Sequence, residues 1–150
     1  MPFHIEVMRI FLAAFLGGVI GLEREIHGRA AGFRTHMLVC VGSALFMITS
    51  LLVSSEHGGL GPVDPSRIAA GVVTGIGFLG AGAVVRSGST IQGLTTAASI
   101  WTVSAIGLAI GAGFYQTAIV TTLIVVFVLF LSRIEVKLFS TKNNDKVNSD

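Results

Sequence analysis

Apolar residues occur along this chain in five runs, which short polar or charged connections separate. Each run is close to the length of about 17–25 residues that a helix needs to cross the hydrocarbon core of a bilayer. The pattern therefore predicts an all-α, polytopic membrane bundle in residues 1–133, followed by a cytoplasmic polar tail in residues 134–150. The five transmembrane helices are predicted at residues 7–22, 37–53, 68–85, 94–112 and 115–132.

The composition supports a membrane protein over a water-soluble one. Hydrophobic residues make up 52% of the chain and charged residues 12%, about half of the roughly 25% that is usual in soluble domains. The mean hydropathy is +0.82. The single cysteine, Cys40, cannot form a disulfide within the chain and is expected to pack as a small apolar residue.

The distribution of basic residues predicts the orientation of the bundle. If five helices alternate in direction, eight of the ten Lys and Arg residues fall on one side of the membrane. Basic residues favour the cytoplasmic side. The N-terminus is therefore predicted to be periplasmic and the C-terminus cytoplasmic.

Glycines recur at helical spacing in the first and third predicted helices. In a bilayer, small residues let two helix backbones approach closely. We therefore predict the third helix to be the central helix of the bundle, and the bulky fifth helix to lie at its periphery, facing lipid. Residues 75–80 also match a dinucleotide-binding pattern, but they lack the preceding strand and the following acidic residue that this pattern requires. The candidate packing glycines are Gly17, Gly21, Gly71, Gly75, Gly77, Gly80 and Gly82.

A dense group of polar side chains lies between the first two predicted helices. One interpretation is a set of topological anchors that pair with each other and with lipid phosphates. The other is an anion- or partner-binding cluster in which Arg34 is a bidentate donor that Glu23 or Glu25 orients. The sequence leaves both interpretations open. The candidate residues are Glu23, Arg24, Glu25, Arg29, Arg34 and His36.

Other candidate positions flank the third and fourth predicted helices. Either Asp64, next to Arg67, or Ser66 is predicted to cap the third helix, with an external cation site at Asp64 as the alternative. Arg86 lies after the third helix, and Thr95 and Trp101 belong to a series of polar residues that starts at Gln92. These hydroxyls either bond to neighbouring backbone groups or line a polar seam.

The predicted spans carry no ionisable residue near their centres. Such residues mark most ion pathways and proton relays in membranes, so a conduit lined by carboxylates is not predicted. The sequence also has no hydrolytic triad, metal-ligand cluster or P-loop. We therefore expect a protein that is not an enzyme, needs no cofactor or metal and binds no nucleic acid.

Three ordered motifs resemble the MgtC/SapB family of bacterial inner-membrane proteins. They are GLERE-x₂-GR-x-AG-x-RTH, DPSRIAAGVVTGIGFLGAG and GLTTAASIW, and the resemblance extends from about Gly17 to Gly113. It implies a multi-pass protein of the bacterial inner membrane, in a family associated with magnesium limitation, acid stress and virulence. Family members often carry Gln where Gly71 stands and Asn where Thr95 stands. Longer members have a soluble C-terminal domain, so we expect a short form here.

The resemblance also implies a mode of action. Some members are associated with restraint of the F-type ATP synthase, so we expect a modulator of a membrane-protein partner, with a second copy of the chain as another candidate partner. Two other classes stay open. The first is a transporter or channel for Mg²⁺ or another ion, and the second is a structural subunit of an assembly.

Overall fold

In a computed structural model, the described part of the chain forms a bundle of five helices and one short β-hairpin. The structure describes the backbone of residues 1–56 and 64–147, and the side chains of residues 1–55 and 64–131. In chain order the elements are α1 Phe3–Ile26, α2 Phe33–Glu56, α3 Ser66–Gly82, β1 Val85–Ser87, β2 Thr90–Gln92, α4 Leu94–Ala112 and α5 Tyr115–Val147.

The helices confirm the predicted all-α membrane bundle. By length and composition, α1, α2 and α4 can each cross a membrane, and α3 and the first part of α5 are shorter apolar helices. Both α1 and α2 have 24 residues and extend beyond the predicted spans at both ends. Likewise, α5 continues past residue 132 to Val147, into the segment predicted as a polar tail.

A β-hairpin replaces the predicted end of the third helix. α3 ends at Gly82 rather than at residue 85, and β1 pairs antiparallel with β2 in the register Val85↔Gln92 and Ser87↔Thr90. The two-residue turn contains Gly88 at a φ of 60°, and glycine favours this left-handed backbone in a hairpin turn. Consecutive valines before the turn favour a strand, because β-branched side chains fit an extended backbone.

The central helix of the bundle is α4, and the prediction that α3 has this position is wrong. α4 contacts each of the other four helices. Its buried face includes Val103, Ile106 and Ile110, which pack in one core with Ile20 of α1 and Cys40 of α2. A row of small residues on α4 allows this arrangement, because a neighbouring backbone can lie directly against it.

Glycines mediate the closest helix contacts. A Cβ added at Gly17 would lie 2.6 Å from the Cβ of Cys40, and one at Gly21 would lie 2.7 Å from the Cα of Phe33. On α4, a Cβ at Gly107 would overlap the carbonyl oxygen of Cys40, and one at Gly111 would lie 2.6 Å from that of Ala44. α2 is therefore packed between α1 and α4, backbone against backbone.

Most glycines of α3 make no close helix contact with the described residues of the chain. A Cβ at Gly71, Gly75, Gly77 or Gly82 would meet no described atom within 4 Å, and Gly80 makes only ordinary contact with Ala97 at 3.8 Å. Among the residues that the structure describes, these four glycines therefore do not have the predicted packing role. The physical reason is that α3 lies at the edge of the bundle, where Phe78 is 81% exposed.

The fifth helix lies at the periphery, as the sequence predicts. Ala118, Thr122 and Leu129 are buried against the core, whereas Leu123 and Phe127 are exposed. At the start of α5, Arg9 of α1 donates to the Tyr115 hydroxyl at 2.9 Å and to the carbonyl oxygen of Gly111 at 2.6 Å. Arg9 thus joins α1 to the end of α4 and the beginning of α5.

Candidate functional site

Two buried polar side chains connect three helices at one end of the bundle. Arg24 near the end of α1 is 4% exposed, and its Nη2 donates to the Thr96 hydroxyl of α4 at 2.7 Å. His36 in the first turn of α2 is fully buried, and its Nε2 lies 3.0 Å from the Ser99 hydroxyl of α4. Neither pair is close in sequence, so the fold alone brings them together.

The hydrogen bonds of His36 define which ring nitrogen carries the proton in the neutral form. Nδ1 lies 2.9 Å from the carbonyl oxygen of Gly32, and a carbonyl can only accept. Nδ1 therefore donates, and Nε2 of the neutral ring accepts from Ser99. The Ser99 hydroxyl is also 2.8 Å from the carbonyl oxygen of Thr96, so its single proton is shared between two acceptors.

Replacing Ser99 with alanine should destabilise the bundle. The change leaves Nε2 of the buried His36 without its partner, and an unsatisfied buried polar group costs about 1–3 kcal/mol. Thr102→Val is the matched control on the same helix, because the Thr102 hydroxyl bonds only locally to the carbonyl oxygen of Ala98 and is exposed. The measurement is the free energy of unfolding of each purified variant in detergent. Equal values for both variants would show that the Ser99–His36 bond contributes nothing.

The connection between α1 and α2 is held by local hydrogen bonds. Gly28, at a φ of 60°, ends α1: its N–H bonds to the carbonyl of Glu25, and the N–H of Arg29 bonds to that of Arg24 at 3.1 Å. This pair of backbone hydrogen bonds, together with a glycine in the left-handed conformation, is a common way for a helix to end. The Glu25 carboxylate then accepts the N–H of Phe33 at 2.7 Å and so caps α2.

This geometry corrects the predicted role of Glu25. The sequence interpretation had Glu23 or Glu25 orienting Arg34, but among the described side chains no ion pair joins either carboxylate to Arg34. Glu23 instead lies 3.4 Å from Nδ1 of His27. Arg34 is exposed on the first turn of α2, on the face opposite to the buried one that His36 occupies, because the two residues are about 200° apart around the helix. Its guanidinium is therefore directed to the surroundings of the bundle. Only some of the polar side chains in the α1–α2 connection pair with one another.

The remaining predicted site residues lie in three places. Arg86 is on the exposed hairpin, where its Nε donates to the carbonyl oxygen of Gly88 at 3.2 Å. Trp101 is 52% exposed on the outer face of α4, away from His36. Asp64 lies just before α3, and Arg67 lies in its first turn. The Ser50 hydroxyl donates to the carbonyl oxygen of Pro65 at 2.7 Å, and this bond attaches the start of α3 to the second half of α2. Asp64 and Arg67 therefore lie far from Arg24.

Pro65 is the N-cap residue of α3 and offers no side-chain bond, and the first turn is instead capped from the preceding residue by Asp64, one of the two candidates that the sequence predicts. Its carboxylate accepts the backbone N–H of Ser66 at 2.9 Å. Hydrogen bonds from the Ser66 hydroxyl and the Ser66 N–H hold the pKa of Asp64 below its usual value. The lowered pKa means that the cap is formed above the ordinary pKa of aspartate and is lost as the pH falls through the lowered value.

A polar cavity of about 320 Å³ lies beside Arg24, at the start of α4. Its walls include Thr95, which the sequence singled out, and Arg29 of the α1–α2 connection. The Nε of Arg24 is buried and has no hydrogen-bond partner among the described residues. The full lining is Arg24, Arg29, Ile91, Gly93, Leu94, Thr95 and Thr96. We call this space the arginine cavity.

A second, larger space is apolar. It has a volume of about 660 Å³ and lies between α2 and α3, with Gly42 of α2 and Gly71 and Gly75 of α3 in its walls. The three glycines have no described atom within 4 Å of an added Cβ. We call this space the α2–α3 groove.

The sequence predicts only part of this arrangement. Thr96 and Ser99 belong to the polar series that starts at Gln92, but nothing in the sequence identifies them as the partners of Arg24 and His36. The available signal was their spacing, because residues three apart lie on the same face of a helix. The sequence does not show that this face meets α1 and α2.

Comparison with known proteins identifies relatives of similar sequence. The chain is 49% identical over 128 residues to the "Putative magnesium transporter YhiD" of Escherichia coli K12 and covers 58% of that protein's length. It is 46% identical to "Protein MgtC" of Brucella abortus and 40% identical to "Protein MgtC" of Salmonella typhimurium, of which it covers 48% and 52%. The matches include 81–85% of this chain. The chain thus spans about half the length of these relatives.

The same relationship emerges from protein-family models. The model described as the MgtC family matches residues 10–137, which include α2, α3 and α4 completely and most of α1 and α5. No solved structure matches the chain. On this match and these identities, the membrane bundle described here belongs to the MgtC family.

Proposed function

We propose that this protein is a multi-pass protein of the bacterial inner membrane that modulates a membrane-protein partner and is not an enzyme. Its role would be adaptation to magnesium limitation or acid stress, and the F-type ATP synthase is the first partner to test, as the family resemblance implies. The N-terminus would be periplasmic and the arginine cavity cytoplasmic, because basic residues favour that side. The observation that carries the proposal is the α2–α3 groove.

The groove has the character of an unfilled helix–helix contact. Gly71 and Gly75 are four residues apart on one face of α3, and Gly42 faces them from α2. Elsewhere in the same bundle, Gly17 and Gly107 let neighbouring backbones touch. Small residues at such spacing drive helix association in membranes, so we assign the groove to a transmembrane helix of the partner.

Leucine at Gly75 should abolish function while leaving the bundle folded. A Cβ there meets no described atom of this chain, so the fold tolerates the side chain, which would fill the groove that we assign to the partner helix. Gly77→Leu is the matched control, because Gly77 is also exposed on α3 and open but does not line the groove. The measurement is growth at low magnesium of a strain that lacks the chromosomal gene and carries each variant, with membrane abundance checked by blot.

Each outcome of this comparison is informative. Growth restored by Gly77→Leu but not by Gly75→Leu, at equal abundance, would support the groove as a partner site. Growth restored equally by both variants would contradict it. ATP-driven proton pumping in inverted membrane vesicles then tests the ATP synthase as the partner, since pumping should fall with the wild-type protein and not with Gly75→Leu.

Magnesium transport is the second candidate, because the Escherichia coli relative bears that name. Transport would require purified protein to carry Mg²⁺ into proteoliposomes in proportion to its amount. A structural role would instead show a stable assembly with no effect on pumping or flux. These two measurements separate the three classes.

A further inference from the structure

The arginine cavity combines features that none of the functions above uses. Two cationic side chains, Arg24 and Arg29, stand in its walls, and its seven lining residues include no acidic one. The two carboxylates next to Arg24 in sequence do not line the cavity: Glu23 lies 3.4 Å from Nδ1 of His27, and Glu25 accepts the N–H of Phe33. Glu23 interacts electrostatically with Arg24 from outside the cavity, and the charged side chains in the cavity wall itself are both cationic.

The first turn of α4 adds donors to the same wall. The first backbone bond of the helix runs from the N–H of Ala97 to the carbonyl of Gly93, so the N–H groups of Leu94, Thr95 and Thr96 precede it. These groups have no partner within a helix. Gly93 occupies the cap position and has no side chain with which to satisfy them. The cavity is lined by Gly93, Leu94, Thr95 and Thr96, but not by Ala97.

Arg24 supplies the independent observation that points to a ligand. The side chain is 4% exposed, one terminal nitrogen is held by Thr96, and the buried Nε has no hydrogen-bond partner among the described residues. A buried charged donor without a partner is costly. Arg24 lines the cavity, so an anion bound there would place negative charge beside this buried guanidinium, which the bond from Nη2 to Thr96 fixes against the start of α4.

We propose that the arginine cavity binds a phosphate group. Arginine forks and the N-terminus of a helix are the two donors that proteins most often direct at phosphate, and here both line one cavity. Arg29 is exposed, so the ligand can enter from the membrane surface. Two sources supply this chemistry there, the headgroup of an anionic phospholipid and soluble inorganic phosphate. The site is separate from the α2–α3 groove and does not depend on the function proposed for it.

The test uses the full chain, purified in a mild zwitterionic detergent. Inorganic phosphate is titrated at constant ionic strength by isothermal calorimetry, and retention of phosphatidylglycerol is measured by native mass spectrometry. Arg29→Gln removes one charged donor from an exposed position, so folding should be unaffected. Arg34→Gln is the matched control, since it removes the same charge from the same end of the bundle but does not line the cavity.

We expect Arg29→Gln to weaken binding by about tenfold or more, the effect of losing one charge-assisted hydrogen bond, and Arg34→Gln to leave it unchanged. If this difference occurs in the phosphate titration, the ligand is soluble phosphate. If phosphate does not bind and only retention of phosphatidylglycerol shows the difference, the ligand is a lipid headgroup. Absence of binding in both measurements, or equal losses in the two variants, would overturn the proposal.

Discussion

Replacing Gly107 with alanine should destabilise the bundle by about 3 kcal/mol, the upper end of the usual range for overpacking. The added methyl group would overlap the carbonyl oxygen of Cys40 and lie 2.8 Å from the Cβ of Ser43. Both atoms belong to α2, and the nearest is backbone, so no side-chain rotation can relieve the contact. α2 and α4 would have to separate, which would also disturb the core around Val103 and Ile106.

Gly75→Ala is the control for this prediction. It makes the same chemical change in another membrane helix, but the new Cβ meets no described atom within 4 Å. Alanine is the better helix former by up to about 1 kcal/mol, so the control should be neutral or slightly stabilising in the purified chain. The measurement is the free energy of unfolding in detergent, with Trp101 as the fluorescent probe because it is the only tryptophan. Equal stability of the two variants would contradict the arrangement of α2 against α4.

This pair of glycines shows what the sequence can and cannot predict about the fold. Hydropathy predicted the five helices, and it gave α4 its observed bounds because Gly93 and Gly113 stand at the two ends. The glycines of the third helix and those of the fourth are spaced equally well for helix packing. Which face meets a neighbour depends on how the helices are arranged, and this information is not local. The sequence therefore placed the wrong helix at the centre.

The candidate site was predictable to a similar degree. Charge clustering draws attention to the α1–α2 connection and predicts Arg24 and His36 only as part of the polar group between the first two helices. They instead turn into the bundle, where one nitrogen of Arg24 bonds to Thr96 and one of His36 to Ser99. The pairs are separated by 72 and 63 residues. Only the packing of α4 against α1 and α2 brings their partners within reach.

Gly93 determines where α4 begins, and hence where its first N–H groups lie relative to Arg24. Its φ is 89°, a left-handed conformation that costs a residue with a Cβ about 1–3 kcal/mol. In addition, a Cβ at this position would overlap the carbonyl oxygen of Ala83. The chain thus passes from the hairpin into α4 against the backbone that follows α3, and only glycine fits there.

Gly93→Ala is accordingly expected to lower stability by more than the backbone conformation alone would cost. Gly88→Ala separates the two contributions, because Gly88 also has a positive φ, of 60°, but an added Cβ meets no described atom within 4 Å. Gly88→Ala should lower the free energy of unfolding by the conformational cost alone, about 1–2 kcal/mol. Gly93→Ala should lower it by at least about 2 kcal/mol more, because its Cβ also clashes with backbone atoms. Unfolding monitored through Trp101 fluorescence in detergent measures both. Equal losses would mean that the approach of Gly93 to Ala83 is looser than the structure shows, and that the start of α4 is not fixed by this contact.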